Sequence, residues 1–70
     1  MLKSNLDGPF IIRMRSHLTP DQYIDLSSHA SVAEARKEAL VIAEHLRAHI
    51  TLTVLDVETL GDHGEFYGEL

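Results

Sequence analysis

Two histidines four residues apart, His45 and His49, are spaced so that both could bind one metal ion. They lie in the stretch EHLRAH. On an α-helix, residues i and i+4 project from one face, a spacing that a metal ion can bridge. Both would flank Glu38 on the helical wheel, so these three residues are the candidate metal ligands. A metal site needs further ligands, however, and the stretch is not the H-E-x-x-H motif. We predict no metal and no cofactor, and a metal-dependent enzyme is the least favoured of three functional hypotheses.

Hydroxyl and imidazole side chains are adjacent at Ser16–His17 and at Ser28–His29. Neighbouring residues on a strand point to opposite faces, which separates such a nucleophile from its base. The sequence also lacks a glycine-rich phosphate loop and a strained-turn motif around a serine. We therefore predict no catalytic residues and a protein that is not an enzyme.

Acidic residues at the C-terminal end give the leading functional hypothesis. Residues 48–70 hold five Asp and Glu and no Lys or Arg, so they carry the whole formal net charge of −5. If the last two strands pair, some of these carboxylates form an acidic face around a tyrosine, which would bind a basic protein partner. The predicted partner-binding residues are Asp56, Glu58, Glu65, Tyr67 and Glu69. The alternative interpretation is charge that keeps a small sheet soluble and protects its edge.

Basic residues give the runner-up hypothesis, a small regulator associated with nucleic acid. The residues concerned are Arg13, Arg15, Arg36 and Lys37. Binding to phosphates needs clustered Lys and Arg, whereas residues 1–47 balance six basic side chains with six acidic ones. The composition therefore disfavours nucleic acid as a partner.

The clearest predicted element is a helix from Ser31 to Ile50. Ser31 and Glu34 form a capping box, and good helix formers follow it. At about 100° per residue, seven apolar side chains fall on one arc. They are Val32, Ala35, Ala39, Ile42, Ala43, Leu46 and Ile50.

Two strands are predicted before this helix. Residues 9–15, PFIIRMR, alternate after the proline, which places Ile11, Arg13 and Arg15 on one face and Phe10, Ile12 and Met14 on the other. Residues 22–26 fit either a second strand that closes a hairpin or a short helix begun by TPDQ. We favour the strand.

Two more strands are predicted after the helix. The β-branched stretch ITLTVLDVETL changes its alternation midway, and a β-bulge near Val54 and Leu55 would keep one buried face that includes Leu55 and Val57. Thr51, Thr53, Asp56 and Glu58 would then point outward. The stretch LGDHG has turn chemistry, and EFYGEL is the last strand.

Together these elements predict an α+β fold in the order ββαββ, with an antiparallel sheet packed on one amphipathic helix. We expect residues 1–70 to form a single domain, with residues 1–8 frayed. The strand–strand–helix–strand order from Phe10 to Ile50 resembles that of small bacterial and phage-encoded domains, such as the antitoxins paired with HicA-type toxins. The resemblance is one of architecture, and it transfers no function.

The length of the chain favours self-association. A chain of 70 residues buries a small core, and it has no cysteine with which to form disulfides. We expect a cytoplasmic homodimer, since a secreted protein of this size usually carries disulfides, and no apolar run is long enough for a membrane span. The expected dimer-interface residues are Ile11, Arg13, Arg15, Val41 and Ala48.

Overall fold

The computed structural model describes residues 8–69 and confirms the predicted α+β fold. One helix packs on a four-stranded antiparallel sheet. The elements, in chain order, are β1 (Phe10–Ser16), β2 (Tyr23–His29), α1 (Val32–Ala43), β3 (Ile50–Asp56) and β4 (Asp62–Tyr67). The N-terminal segment predicted to be frayed is residues 1–8, of which residues 1–7 lie outside the described residues. Gly8, the last residue of that predicted segment, donates its amide to Ser28 Oγ at 3.3 Å.

The sheet has the strand order β2-β1-β3-β4, and each neighbouring pair is antiparallel. β1 therefore lies between β2 and β3, which run parallel to each other. A chain that leaves β2 must cross the sheet to enter β3 in the same direction, and α1 makes this crossover. This crossover places the helix on one face of the sheet and leaves the opposite face without a covering element among residues 8–69.

The β1–β2 hairpin confirms the strand reading of residues 22–26. The Thr19 amide bonds to the Ser16 carbonyl and the Gln22 amide to the Thr19 carbonyl, so the TPDQ segment forms turns instead of a helix. β2 is also longer than predicted and ends at His29. Its pairing with β1 skips Leu26, a bulge that the sequence did not predict.

The helix begins where the sequence predicted. Ser31 has extended backbone angles, and its side chain accepts a hydrogen bond from the Glu34 amide at 3.2 Å. This is the N-cap geometry that a capping box favours. Behind it, Ala35, Ala39 and Ala43 are buried at intervals of four residues, and their small side chains let the helix approach the sheet closely.

The helix ends earlier than predicted, at Ala43 instead of Ile50. Glu44 is the C-cap, and the next two amides, of His45 and Leu46, make i→i−3 bonds typical of a tightened last turn. The cause is tertiary: β3 must begin at Ile50 opposite Ser16, so the chain needs the intervening residues to return to the sheet. The pairing of β3 with β1 therefore overrides the good helix propensity of residues 44–49.

The core lies between α1 and the centre of the sheet. The strand residues Ile12, Leu52 and Val54 are fully buried against the buried alanines of α1. Partly buried apolar residues surround this cluster: Phe10, Met14, Ile42, Leu46 and Phe66. The alternation of β1 was therefore predicted correctly.

The β3–β4 hairpin corrects the predicted bulge. The extra residue lies on β4, because Thr53 pairs with Glu65 while Leu55 pairs with Asp62. β3 itself alternates regularly along β1, so Leu55 points away from the helix and Val57 lies in the turn beyond the strand. Leu55 and Val57 do not join the buried face, and Asp56 pairs with Phe10 on the helix side.

Candidate functional site

The face of the sheet opposite α1, here called the outer face, is the candidate functional site. Each strand contributes at least two polar or aromatic side chains to it. The central ones are Arg13 and Arg15 of β1, Tyr23 and Asp25 of β2, Thr51 and Thr53 of β3, and Glu65 and Tyr67 of β4. Because β1 and β3 are central, the arginines and threonines lie between the two tyrosine–carboxylate pairs.

The β1–β2 half of the outer face holds a cluster in which Arg13 contacts both Tyr23 and Asp25. Arg13 lies directly opposite Asp25 and binds its carboxylate twice, Nε to Oδ1 at 2.8 Å and Nη2 to Oδ2 at 3.3 Å. Its guanidinium also lies 3.8 Å from the ring centroid of Tyr23. The hydrogen bond to Asp25 raises the pKa of Arg13 further above its already high value, although partial desolvation opposes this shift.

The other half holds the same kind of pair, Tyr67 with Glu65. The Tyr67 hydroxyl donates to Glu65 Oε1 at 2.7 Å. This bond, together with the negative charge of Glu65, raises the pKa of Tyr67 above its ordinary value of 10.0. Tyr67 is half-exposed, and its ring borders an open depression of about 360 Å³. Thr51 and Thr53 line this depression, as do Arg15 and His17 at its β1 side.

The two halves correspond residue by residue in their pairing. Arg13 and Arg15 lie opposite Asp25 and Tyr23, whereas Thr53 and Thr51 lie opposite Glu65 and Tyr67. Two short hydroxyl side chains therefore occupy the positions that two arginines hold in the first hairpin. Within residues 8–69, no Lys or Arg bonds to the Glu65 carboxylate or stacks on the Tyr67 ring. The β3–β4 half is thus a tyrosine–carboxylate pair without a cation, bordered by a groove.

One further polar contact lies at the end of this groove, where His17 Nε2 is 2.6 Å from Thr51 Oγ1. A second hydroxyl–imidazole contact joins Ser27 Oγ to His29 Nε2 at 3.0 Å. Nucleophilic catalysis also needs a third group that orients the imidazole and a site from which water is excluded. His17 and Thr51 lie on an open face, and no carboxylate of the described chain bonds to His17. The hydroxyls in these two contacts, those of Thr51 and Ser27, are not those of the serines that precede each histidine in the sequence.

The structure brings together only part of the predicted acidic face. Glu65 and Tyr67 lie side by side, but Asp56 is five residues along β3 from the partner of Tyr67, about 16 Å at the rise of a strand. Asp56 accepts a hydrogen bond from the Glu58 amide in the turn at that distant end. Glu69 follows β4 at the opposite end. A single acidic surface around Tyr67 therefore does not form.

The expected dimer-interface residues are also dispersed. Ile11 is only 3% exposed in the single chain, between Ser28 and Leu55 of the neighbouring strands, so it is not a free surface residue. Arg13 is held by Asp25, and Arg15 remains exposed. Val41 is half-exposed on α1, but Ala48 lies beyond the end of the helix. Val41 and Ala48 consequently do not share a helical face.

The basic residues of the nucleic-acid hypothesis lie on opposite sides of the sheet. Arg13 and Arg15 are on the outer face, whereas Arg36 and Lys37 are on α1. Arg36 donates to the His63 carbonyl at 2.7 Å and lies 5.5 Å from the ring centroid of Phe66. These four side chains do not form one basic surface.

The candidate metal ligands lack the helical geometry on which their prediction depended. His45 and His49 lie in the turns after α1, and only Glu38 is on the helix. Over residues 8–69, no group of three or more His, Asp and Glu side chains is arranged to hold a metal ion.

Sequence reasoning missed Tyr23, Asp25, Thr51 and Thr53 as members of this site. The signal was available for the first two, because a hairpin that pairs R-x-R with Y-x-D places charge opposite charge. Comparisons with protein-family models, with curated proteins and with solved structures each found no match. In the described part of the chain, every helix is too short or too polar to cross a bilayer.

Proposed function

We propose that this protein is a small, non-enzymatic interaction protein that docks on a basic protein partner through the β3–β4 half of its outer face. The observation that carries the proposal is the Tyr67–Glu65 pair without a cation. The chain's own Tyr23–Asp25 pair binds an arginine by stacking and by a two-point hydrogen bond. An Arg side chain from a partner would make the same two kinds of contact with Tyr67 and Glu65, whereas a Lys would supply the positive charge without the two-point bond.

The surroundings of the pair support a partner of this charge. Residues 48–70 contain no Lys or Arg, so the negative charge of β4 is not neutralised by its own segment. Asp62 lines a depression of the same face together with Glu65 and adds a second carboxylate on β4, while Arg13 and Arg15 of β1 line the other side of that depression. Thr51 and Thr53 are short and leave room for the stem of a long side chain. A half-exposed tyrosine beside a carboxylate is also the kind of residue that anchors protein interfaces.

The first test is titration of the protein with short peptides of matched length, rich in arginine, lysine or glutamate, followed by amide NMR shifts. We expect the basic peptides to shift the signals of Thr51, Thr53 and residues 65–67, with an affinity that falls as salt is added. Tyr67→Ala and Glu65→Gln should each weaken binding at least severalfold. Glu58→Gln is the matched control, because it removes a carboxylate in the distant turn. Equal binding of the acidic peptide, or equal loss in the control, contradicts the proposal.

A second test introduces a positive charge next to Glu65 by mutation of this chain. Thr53 lies opposite Glu65 as Arg13 lies opposite Asp25, so Thr53→Arg should bind Glu65 and stack on Tyr67. We expect this variant to lose affinity for the basic peptide. Its free energy of unfolding should change little, because Arg13 also lies opposite position 53 and its like charge opposes the new bond to Glu65. Thr53→Gln controls for side-chain size. If Thr53→Arg binds the peptide as well as the original protein does, the docking site is elsewhere.

A further inference from the structure

β2 is an edge strand with an unusual amount of exposed apolar surface. No other strand of residues 8–69 lies beyond it in the sheet. Tyr23, Ile24 and Leu26 are 51%, 57% and 39% exposed. α1 packs less against β2 than against any other strand, so Ile24 on the helix side of β2 stays more than half exposed. An open groove beside Ile24, lined by Met14 and Ile50 among others, extends this apolar surface.

The opposite edge strand of the sheet, β4, is protected against pairing with another chain, whereas β2 is not. β4 carries Asp62 and Glu65 and contains a bulge at Gly64, whose φ is +142°. Charges and bulges are the usual means by which natural edge strands avoid pairing with other chains. β2 has a bulge of its own at Leu26, but it has no Lys, Arg or Pro, and its one carboxylate, Asp25, is already neutralised by Arg13.

We propose that β2 pairs antiparallel with β2 of a second copy of this chain, about a two-fold axis at Ile24. Side chains of β2 alternate regularly between the two faces of the sheet only up to the bulge at Leu26. A symmetric pairing of two β2 strands is therefore confined to residues 23–25. An axis at Asp25 would place two carboxylates opposite each other. An axis at Tyr23 would place Asp21 opposite Asp25 of the second copy. The axis at Ile24 avoids both.

In this register, the side chains that lie opposite each other are chemically complementary on both faces of the joined sheet. Ile24 lies opposite Ile24 of the second copy on the helix side, and the two apolar grooves become neighbours. On the outer face, Tyr23 lies opposite the second copy's Asp25, so a tyrosine hydroxyl faces a carboxylate at each end of the pair. The two four-stranded sheets become one sheet of eight strands, with both outer faces on the same side. The inference concerns a different edge from the proposed docking site and does not depend on it.

Single-cysteine variants test this register directly, because the chain contains no cysteine. Cβ atoms of residues opposite each other in an antiparallel pair lie close to the distance that a disulfide requires. We expect Ile24→Cys to form a disulfide-linked dimer under mild oxidation at micromolar concentration. Val41→Cys is the control, on the half-exposed side of α1. Equal cross-linking of the control, or a Tyr67→Cys variant that cross-links more readily, overturns the proposal.

Oligomeric state in solution provides an independent readout. Analytical ultracentrifugation should give twice the monomer mass for the original chain, with a thermal midpoint that rises with concentration. Ile24→Lys should give a folded monomer, as judged by an unchanged circular dichroism spectrum, because position 24 is exposed and a lysine blocks edge pairing. Val41→Lys should remain dimeric. A monomeric original chain, or a dimer that Ile24→Lys leaves intact, overturns the proposal.

Discussion

Arginine geometry distinguishes the two basic residues of β1. Arg13 makes a two-point bond to Asp25 and stacks on Tyr23, whereas the Arg15 guanidinium is 5.9 Å from the same ring. Isolated exposed ion pairs contribute little to stability. Arg13 differs because its side chain is only 19% exposed and its planar group satisfies both partners at once.

We therefore predict that Arg13→Lys lowers the free energy of unfolding by about 1 kcal/mol, because an ammonium cannot reproduce the paired bonds or the stacking. Arg15→Lys is the matched control and should change it by less than about 0.5 kcal/mol. Urea denaturation measures both values. Equal losses would show that the Arg13 geometry contributes nothing beyond charge.

The Tyr67–Glu65 bond predicts a dependence on alkaline pH. The pKa of Tyr67 is raised in the folded state, so the protonated tyrosine is the form that folding favours. This contribution to stability is present below pH ~10, the unfolded pKa, and is lost as pH rises through the higher folded pKa. In a Tyr23→Phe background, absorbance titration of tyrosinate should show a lower pKa for Tyr67 after Glu65→Gln. An unchanged titration curve would mean that the bond does not persist in solution.

Among the elements, the start of α1 was predictable and its end was not. Ser31 and Glu34 act within one turn, so local sequence suffices to place the N-terminus. The end at Ala43 depends on where β3 must begin, which is information about a strand pair more than thirty residues apart in sequence. The bulge on β4 was misplaced onto β3 for the same reason, since alternation in one strand does not reveal which partner holds the extra residue.

The connection from α1 to β3 also predicts a glycine requirement at position 68. A Cβ on Gly68 would overlap the Arg47 carbonyl oxygen, and the Gly68 amide bonds to the Ile50 carbonyl. We expect Gly68→Ala to lower the free energy of unfolding by about 1–3 kcal/mol, because the backbone must move apart. Gly61→Ala, which meets only a Thr59 hydroxyl at 3.0 Å, should change it less. Thermal denaturation of the two variants tests the difference, and equal midpoints would contradict it.

At the scale of the whole molecule, a small core limits stability. Among residues 8–69, three of the seven buried apolar residues are alanines, so few large side chains supply most of the burial. We predict that Leu52→Ala costs about 2–5 kcal/mol, a large share of the total for a domain of this size. Leu40→Ala makes the same chemical change on a half-exposed helical position and should cost under about 1 kcal/mol. Urea midpoints that fall equally would show that Leu52 is not in the core.

The candidate site shows what topology adds to a sequence pattern. Sequence alone grouped carboxylates by their position in the chain, which placed Asp56 and Glu58 with Glu65. The register separates them and brings Thr51 and Thr53 beside Glu65 and Tyr67 instead. Equivalence between the two hairpins becomes visible only once each cross-strand partner is known.

The central position of β1 has a consequence for synthesis on the ribosome. This strand is made before both of its neighbours. It can pair with β2 after a few more residues, but its other neighbour, β3, is made some forty residues after it. Until β3 emerges, the nascent hairpin has an open edge beside Ile11 and Ile12, both of which are buried in the finished fold. The growing chain therefore exposes these two isoleucines until β3 has been made, the interval in which association with chaperones or with other nascent chains is favoured.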